Sequence, residues 1–150
     1  MVQLTMTKNS TARRYFIDSS AFIAVIDKDD QNHLSAISFF RYLIIEKSLK
    51  LITSNLVIAE SYTRILYRTY FDSARRFLEM IYSSDIQIIY SDAKIEQATE
   101  EILYKYSNLK LSYTDAVSFS IMRKNKIENA FTFDKHFQSV GMKIFPPKTQ

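Results

Sequence analysis

The segment Tyr15-Phe16-Ile17-Asp18-Ser19-Ser20 sets the architecture of this chain. Its three apolar residues predict a short buried strand, and the acid and serines after them are typical of a helix N-terminus. Residues 50–53, 86–90, 129–132 and 142–145 also have the composition of short strands. Because helical segments separate these strands, the pattern favours a parallel sheet covered on both faces. We therefore predict an α/β fold with a central parallel sheet of about five strands flanked by helices.

The chain has the size and apolar content of one domain, with 150 residues and 47% hydrophobic composition. The predicted helices cover residues 19–26, 33–44, 55–70, 72–82, 92–106 and 114–124. We expect the domain to span residues 15–145. Residues 1–14 are expected to form a flexible extension and residues 146–150 a short tail.

Composition excludes several kinds of site. The chain has no cysteine, so disulfides, thiolate zinc sites and cysteine nucleophiles are excluded. Gly141 is the only glycine, so neither a dinucleotide fingerprint nor a P-loop can be written. No apolar run reaches the ~18 residues of a membrane span, and residues 1–14 lack the apolar core of a secretory signal. A cytoplasmic protein without membrane contact is expected, and the net charge of +4 leaves nucleic acid binding open.

Four carboxylates stand near the junctions between strands and helices: Asp18, Glu60, Asp115 and Asp134. The carboxyl ends of the strands share one edge in such a sheet, so distant residues can converge there. Converging carboxylates repel one another unless a hard cation lies between them, which predicts a Mg²⁺ or Mn²⁺ site. Ser20 and Thr132 are placed to orient the acids or a metal-bound water.

Each acid also has a local structural role that would explain it alone. These roles are an N-cap at Asp18, an ion pair of Glu60 with Arg64, a capping box of Ser112 with Asp115, and an Asx turn at Asp134. The metal-site interpretation depends on the four acids as a set.

Other polar residues receive simpler interpretations. Asp92 follows the third strand and is expected to cap a helix. The polar loop 27–32 is expected to be solvated. His33 and His136 are the only histidines, and because neither has a histidine partner one turn away, surface or helix-end roles are expected rather than metal ligation.

Four sequence blocks in order carry a family resemblance: Phe16-Ile17-Asp18-Ser19-Ser20-Ala21-Phe22, Ser54-Asn55-Leu56-Val57-Ile58-Ala59-Glu60, Leu111-Ser112-Tyr113-Thr114-Asp115-Ala116 and Phe131-Thr132-Phe133-Asp134-Lys135-His136-Phe137. Over about residues 15–145 the chain resembles the PIN domain, and in its compact size the VapC-type toxin ribonucleases. The resemblance implies a PIN-like three-layer sandwich and a nuclease domain over 15–145.

The resemblance also implies an activity and partners. It implies a divalent-metal-dependent endoribonuclease that cuts RNA, such as tRNA or a structured RNA loop, to leave 5′-phosphate and 3′-hydroxyl ends. The catalytic and metal-binding residues would be Asp18, Glu60, Asp115 and Asp134, with Ser20 and Thr132 in support. Toxin members are blocked by a small antitoxin protein, and homodimers are frequent in the family.

Two alternatives stay open on the sequence. One is a catalytically silent PIN-like module that binds RNA or protein. The other is a phosphohydrolase like the haloacid dehalogenases with Asp18 as nucleophile, but that class needs a second acid where this chain has Ser20.

Overall fold

A five-stranded sheet forms the centre of the computed structural model, which describes residues 12–148. Its strands are β1 (Arg14–Ile17), β2 (Lys50–Ser54), β3 (Gln87–Ile89), β4 (Asn129–Phe131) and β5 (Lys143–Phe145). They lie in the order β3-β2-β1-β4-β5, and every neighbouring pair is parallel. The predicted parallel sheet of five strands is confirmed.

Seven α-helices connect the strands within the described part of the chain. They are α1 (Ser19–Ile26), α2 (His33–Ile45), α3 (Asn55–Arg68), α4 (Phe71–Ser83), α5 (Ala93–Lys105), α6 (Tyr113–Lys124) and α7 (Lys135–Ser139). A 3₁₀ turn, Ser107–Leu109, lies in the connection from α5 to α6. Among residues 12–148, no helix combines the length and apolar character that a membrane span requires.

Helices cover both faces of the sheet. Tyr15, Phe16 and Ile17 of β1 are all at most 2% exposed, although successive strand residues point to opposite faces. On one face, the Phe39 ring of α2 lies 5.9 Å from Tyr15 and 5.0 Å from Phe131, centroid to centroid. Such burial of consecutive residues is typical of a parallel strand in a sheet between two helical layers.

The strand order places β1 and β4 side by side at the point where the chain reverses its course across the sheet. From β1 the chain steps to β2 and then β3, and it returns past both to form β4 on the other side of β1. The backbone N–H of Asp18, just after β1, donates to the carbonyl of Phe131 at the end of β4, 3.0 Å away. In open α/β sheets a crevice suited to ligands opens at this switch point.

The loop after α1 differs from expectation. Asp27 is only 5% exposed, and the Arg68 guanidinium lies 2.9 Å from its carboxylate and 3.2 Å from that of Asp30. The expectation of a solvated loop is therefore wrong for Asp27, because α3 brings Arg68 to it through the tertiary fold.

The chain ends are described only in part. Most of the predicted extension 1–14 and the last two residues of the predicted tail lie outside residues 12–148. Arg14 already belongs to β1, and the carbonyl of Arg13 accepts a 2.9 Å hydrogen bond from the backbone N–H of Lys50.

Candidate active site

Asp18 occupies the turn from β1 into α1 and is 1% exposed. Its Oδ2 accepts hydrogen bonds from the Ser20 backbone N–H at 3.2 Å, from Ser20 Oγ at 2.7 Å and from Thr132 Oγ1 at 3.0 Å. Its Oδ1 is buried and has no hydrogen-bond partner. Burying a carboxylate oxygen without a partner is costly, so Oδ1 indicates a place for a cation or its bound water.

The hydroxyls of Ser20 and Thr132 join the two strand ends at the switch point. Their oxygens lie 3.1 Å apart. Ser20 Oγ accepts from the Phe133 backbone N–H at 2.9 Å, and Thr132 Oγ1 accepts from the Asp134 backbone N–H at 3.0 Å. Both hydroxyls therefore hold Asp18 in place and set the path of the chain toward Asp134.

Asp115 approaches from the first turn of α6, where it forms a capping box with Ser112. The pKa of Asp115 is raised to about 6, first by burial and then by the negative charges of Asp18 and Asp134. Hydrogen bonds from Ser112 act in the opposite direction and lower it. Burial also raises the pKa of Asp18, although the Ser20 and Thr132 hydrogen bonds oppose the change. The three acids are close enough to act on one another electrostatically.

Asp134 caps α7, where its Oδ1 accepts from the backbone N–H of His136 at 2.8 Å. The Nδ1 atom of His136 lies 3.4 Å from Asp134 Oδ1 and 3.9 Å from Asp115 Oδ2. One ligand atom from each of these three residues lies within 4.8 Å of the others. His136 is at a helix end, as expected, but sequence reasoning missed its closeness to Asp115, because α6 and α7 give no local spacing signal for that contact.

Glu60 has a different setting on α3. Its Oε1 pairs with Arg64 at 3.3 Å, one turn away, while its Oε2 is buried without a hydrogen-bond partner. The metal-compatible group found among residues 12–148 is Asp115, Asp134 and His136, and it includes neither Glu60 nor Asp18. The structure thus brings Asp18, Asp115 and Asp134 together and gives Glu60 the predicted local ion pair. Its membership of the site stays a prediction.

The acids that meet at the site also have the helix-capping roles predicted for them. Asp18, Asp115 and Asp134 all cap helices, as their local sequences predict. Asp92 also caps a helix, accepting from the Ile95 backbone N–H at 2.9 Å, which confirms its interpretation. Asp18 still keeps its second oxygen free, because its capping bonds use Oδ2 alone.

The residues present fit a divalent cation. The donors of the three acids are hard oxygens, the kind that Mg²⁺ and Mn²⁺ prefer. Positive charge at this point would partner the buried free oxygen of Asp18, and it would offset the burial and the neighbouring negative charges that raise the pKa of Asp115.

Comparison with known proteins defines the class. The family model of the PIN domain matches residues 15–143, so the chain belongs to the PIN domain family. It is 29% identical over 126 residues to the 23S rRNA-specific endonuclease VapC20 of Mycobacterium tuberculosis, an alignment covering 84% of this chain and 93% of VapC20. The resemblance stated from the four sequence blocks is confirmed.

Solved structures support the same class. The crystal structure of M. tuberculosis VapC20, described as a Sarcin-Ricin loop cleaving toxin, matches with a TM-score of 0.79 at 27% identity, over 85% of this chain and 95% of that one. VapBC2 from Rickettsia felis, bound to a DNA fragment from its promoter, matches with a TM-score of 0.65 at 16% identity, over 87% of this chain and 96% of that one. The second likeness bears on the fold alone, and the PIN-like three-layer fold is confirmed.

Proposed function

We propose that this PIN-domain protein is a divalent-metal-dependent endoribonuclease that hydrolyses RNA phosphodiester bonds. One observation carries the proposal: Asp18 is buried at the switch point with a free carboxylate oxygen, beside Asp115 and Asp134. The 29% identity with a 23S rRNA-specific endonuclease over nearly the whole of both chains supports it.

Asp18, Asp115 and Asp134 would hold Mg²⁺ or Mn²⁺, with Glu60 as the fourth acid. A divalent cation at such a site supplies Lewis-acid activation of water and of the scissile phosphate. The chain contributes the preorganisation: Ser20 and Thr132 lock the Asp18 carboxylate, and burial at the sheet edge excludes bulk water from it. In-line attack by water leaves 5′-phosphate and 3′-hydroxyl ends.

The proposed substrate is a structured RNA, either tRNA or a ribosomal RNA loop. The relative VapC20 is described as cleaving the Sarcin-Ricin loop, which makes that loop the first substrate to try. A net charge of +4 favours the approach of a polyanion, so we expect binding to weaken as salt is raised.

The proposed biological setting is the toxin half of a toxin–antitoxin pair acting in the cytoplasm. Structural neighbours include VapBC complexes, and a small antitoxin protein is the partner that this setting implies. A homodimer is also proposed. Tyr67, Tyr70 and Phe71, at the junction of α3 and α4, are between 62% and 84% exposed, and their rings offer apolar area for a second copy.

The proposal is tested by incubating the purified chain with ribosomal RNA and tRNA in Mn²⁺ or Mg²⁺ and sequencing the product ends. We expect discrete cuts that EDTA abolishes and that Asp18→Asn and Asp115→Asn each reduce at least a hundredfold. Asp92→Asn is the matched control, since Asp92 caps α5 outside the site and should leave cleavage unchanged.

Two results would overturn the nuclease assignment. Cleavage that survives in both Asp18→Asn and Asp115→Asn would place the activity elsewhere or in a contaminant. Intact RNA together with salt-sensitive binding would favour the silent RNA-binding module instead.

A further inference from the structure

His136 has an environment that its helix position alone does not explain. Its side chain is 36% exposed, yet its Nδ1 atom is buried and has no hydrogen-bond partner. The carboxylate oxygens near that nitrogen come from two places in the fold, Asp134 at the N-cap of α7 and Asp115 in the first turn of α6. A ring nitrogen that faces two carboxylates is stable only with positive charge between them, which either a proton on the ring or a bound cation can supply.

The distances suit a shared ion. Two donors bound to one small divalent cation lie no more than about 4.2 Å apart, twice a bond of ~2.1 Å. The Nδ1 atom lies 3.4 Å and 3.9 Å from the two carboxylate oxygens, inside that limit. Asp18 is an independent sign of a ligand here, since it is 1% exposed, its Oδ1 is unpartnered, and its charge acts on Asp115.

We propose that His136 is a metal ligand of this site and that its Nδ1 gives the acidic centre one nitrogen donor beside Asp115 and Asp134. Carboxylate and water oxygens suit both Mg²⁺ and Mn²⁺, whereas an imidazole nitrogen adds affinity for first-row transition ions, of which Mn²⁺ is the weakest-binding, and adds little for Mg²⁺. His136 therefore makes the site prefer a transition ion such as Mn²⁺ over Mg²⁺. This inference rests on the proposed function, because it names the cation that the nuclease site selects.

Electron spin echo spectroscopy of Mn²⁺ bound to the tag-free protein tests the inference directly. A histidine nitrogen bonded to Mn²⁺ gives a ¹⁴N modulation that carboxylates cannot give. The chain has only two histidines, and His33 is occupied elsewhere, with its Nδ1 2.8 Å from the carbonyl of Ala24. His33→Gln is therefore the matched control for His136→Gln.

We expect the nitrogen modulation in the unsubstituted protein and in His33→Gln, and its loss in His136→Gln. Titration should show Mn²⁺ affinity falling about tenfold in His136→Gln, with Mg²⁺ affinity changing less than about threefold. Because His33→Gln leaves His136 as the one histidine of the sequence, modulation in that variant assigns the ligand without depending on how well His136→Gln folds.

Bound Mn²⁺ without nitrogen modulation, or modulation that survives in His136→Gln, would overturn the inference. If the protein still cuts RNA in Mn²⁺, the proposed function stands and only the role of His136 fails. If neither Mn²⁺ binding nor cleavage occurs, both fail.

Discussion

Asp18 divides its two carboxylate oxygens between folding and function. Oδ2 takes three hydrogen bonds from Ser20 and Thr132, which orient the carboxylate and cap α1. Oδ1 takes none and is buried. A local cap and a metal ligand are thus compatible in one residue, because the cap needs a single oxygen.

The ionised side chain of Asp115 lowers the free energy of unfolding. Its pKa is about 6 in the fold against an ordinary value of 3.8, so between those values the folded state binds more protons than the unfolded state. The free energy of unfolding therefore falls as pH rises from about 4 to about 6, and the full cost persists at neutral pH.

We expect Asp115→Asn to stabilise the metal-free protein at neutral pH by about 1–2 kcal/mol, raising the melting temperature by about 3–6 °C. The gain should shrink toward about pH 4, where the folded Asp115 is already protonated. Thermal unfolding in EDTA checks this. Asp92→Asn is the control and should give no gain, because hydrogen bonding to the Ile95 backbone lowers the pKa of Asp92. A destabilised Asp115→Asn protein at neutral pH would contradict the account.

The pKa of Asp115 also predicts how cation binding depends on pH. A cation binds the ionised carboxylate, and a group with a pKa of about 6 is mostly protonated one pH unit lower. We expect Mn²⁺ affinity to fall about tenfold between about pH 7 and about pH 5. Calorimetric titration at both values measures it. Equal affinity at the two values would show that Asp115 is not a ligand.

Residues were predicted best where the signal is local. Asp18, Asp92 and Asp115 stand at recognisable helix starts, so their capping roles could be predicted from the residues next to them in the sequence. The buried pair of Asp27 with Arg68 and the contact of His136 with Asp115 join separate elements. Such contacts cannot be predicted from residue spacing within one helix or strand.

At the scale of elements, Thr132 ties β4 and α7 to β1 and α1. Its Oγ1 donates to Asp18 and accepts from the Asp134 backbone N–H, so one hydroxyl positions two acids. Thr99 of α5 is a comparable threonine away from the site: it is fully buried, and its Oγ1 donates to the Ile95 carbonyl. Variants of these two threonines therefore distinguish an effect on the stability of the fold from an effect on the positions of the acids.

We expect Thr132→Val and Thr99→Val each to lower the free energy of unfolding by about 1–2 kcal/mol, because each removes buried hydrogen bonds. Only Thr132→Val should also lower the cleavage rate, by about 10–100-fold, since it loosens residues that orient the site. Chemical denaturation and a cleavage assay on the same preparations check both. Equal cleavage by the two variants would mean that Thr132 has a structural role alone.

The boundaries of elements were predicted to within a few residues, and the differences have local causes. The third helix was expected to reach residue 70 but ends at Arg68, because Thr69 leaves the helical backbone conformation. The third strand was expected to reach Tyr90 but ends at Ile89, because in the register with β2 the next position lies opposite Asn55, which already begins α3.

At the scale of the whole molecule, the strand order decides whether the acids meet. The alternation of strands and helices predicts a parallel sheet but does not state that β4 lies beside β1. That neighbour relation brings Thr132 and Asp134 to Asp18, while α6 delivers Asp115. The convergence inferred from shared sheet edges is realised for three acids. Glu60 instead forms an ion pair with Arg64, one turn away on the same helix, α3.

The central claim is that acids from distant segments form one divalent cation site at this switch point. An anomalous difference map from crystals soaked in Mn²⁺ tests it most directly. We expect a peak within about 2.3 Å of Asp18 Oδ1 and of a carboxylate oxygen of Asp115 or Asp134. A peak confined to another acidic group, such as Asp27 and Asp30, or no peak at saturating Mn²⁺, would contradict the account.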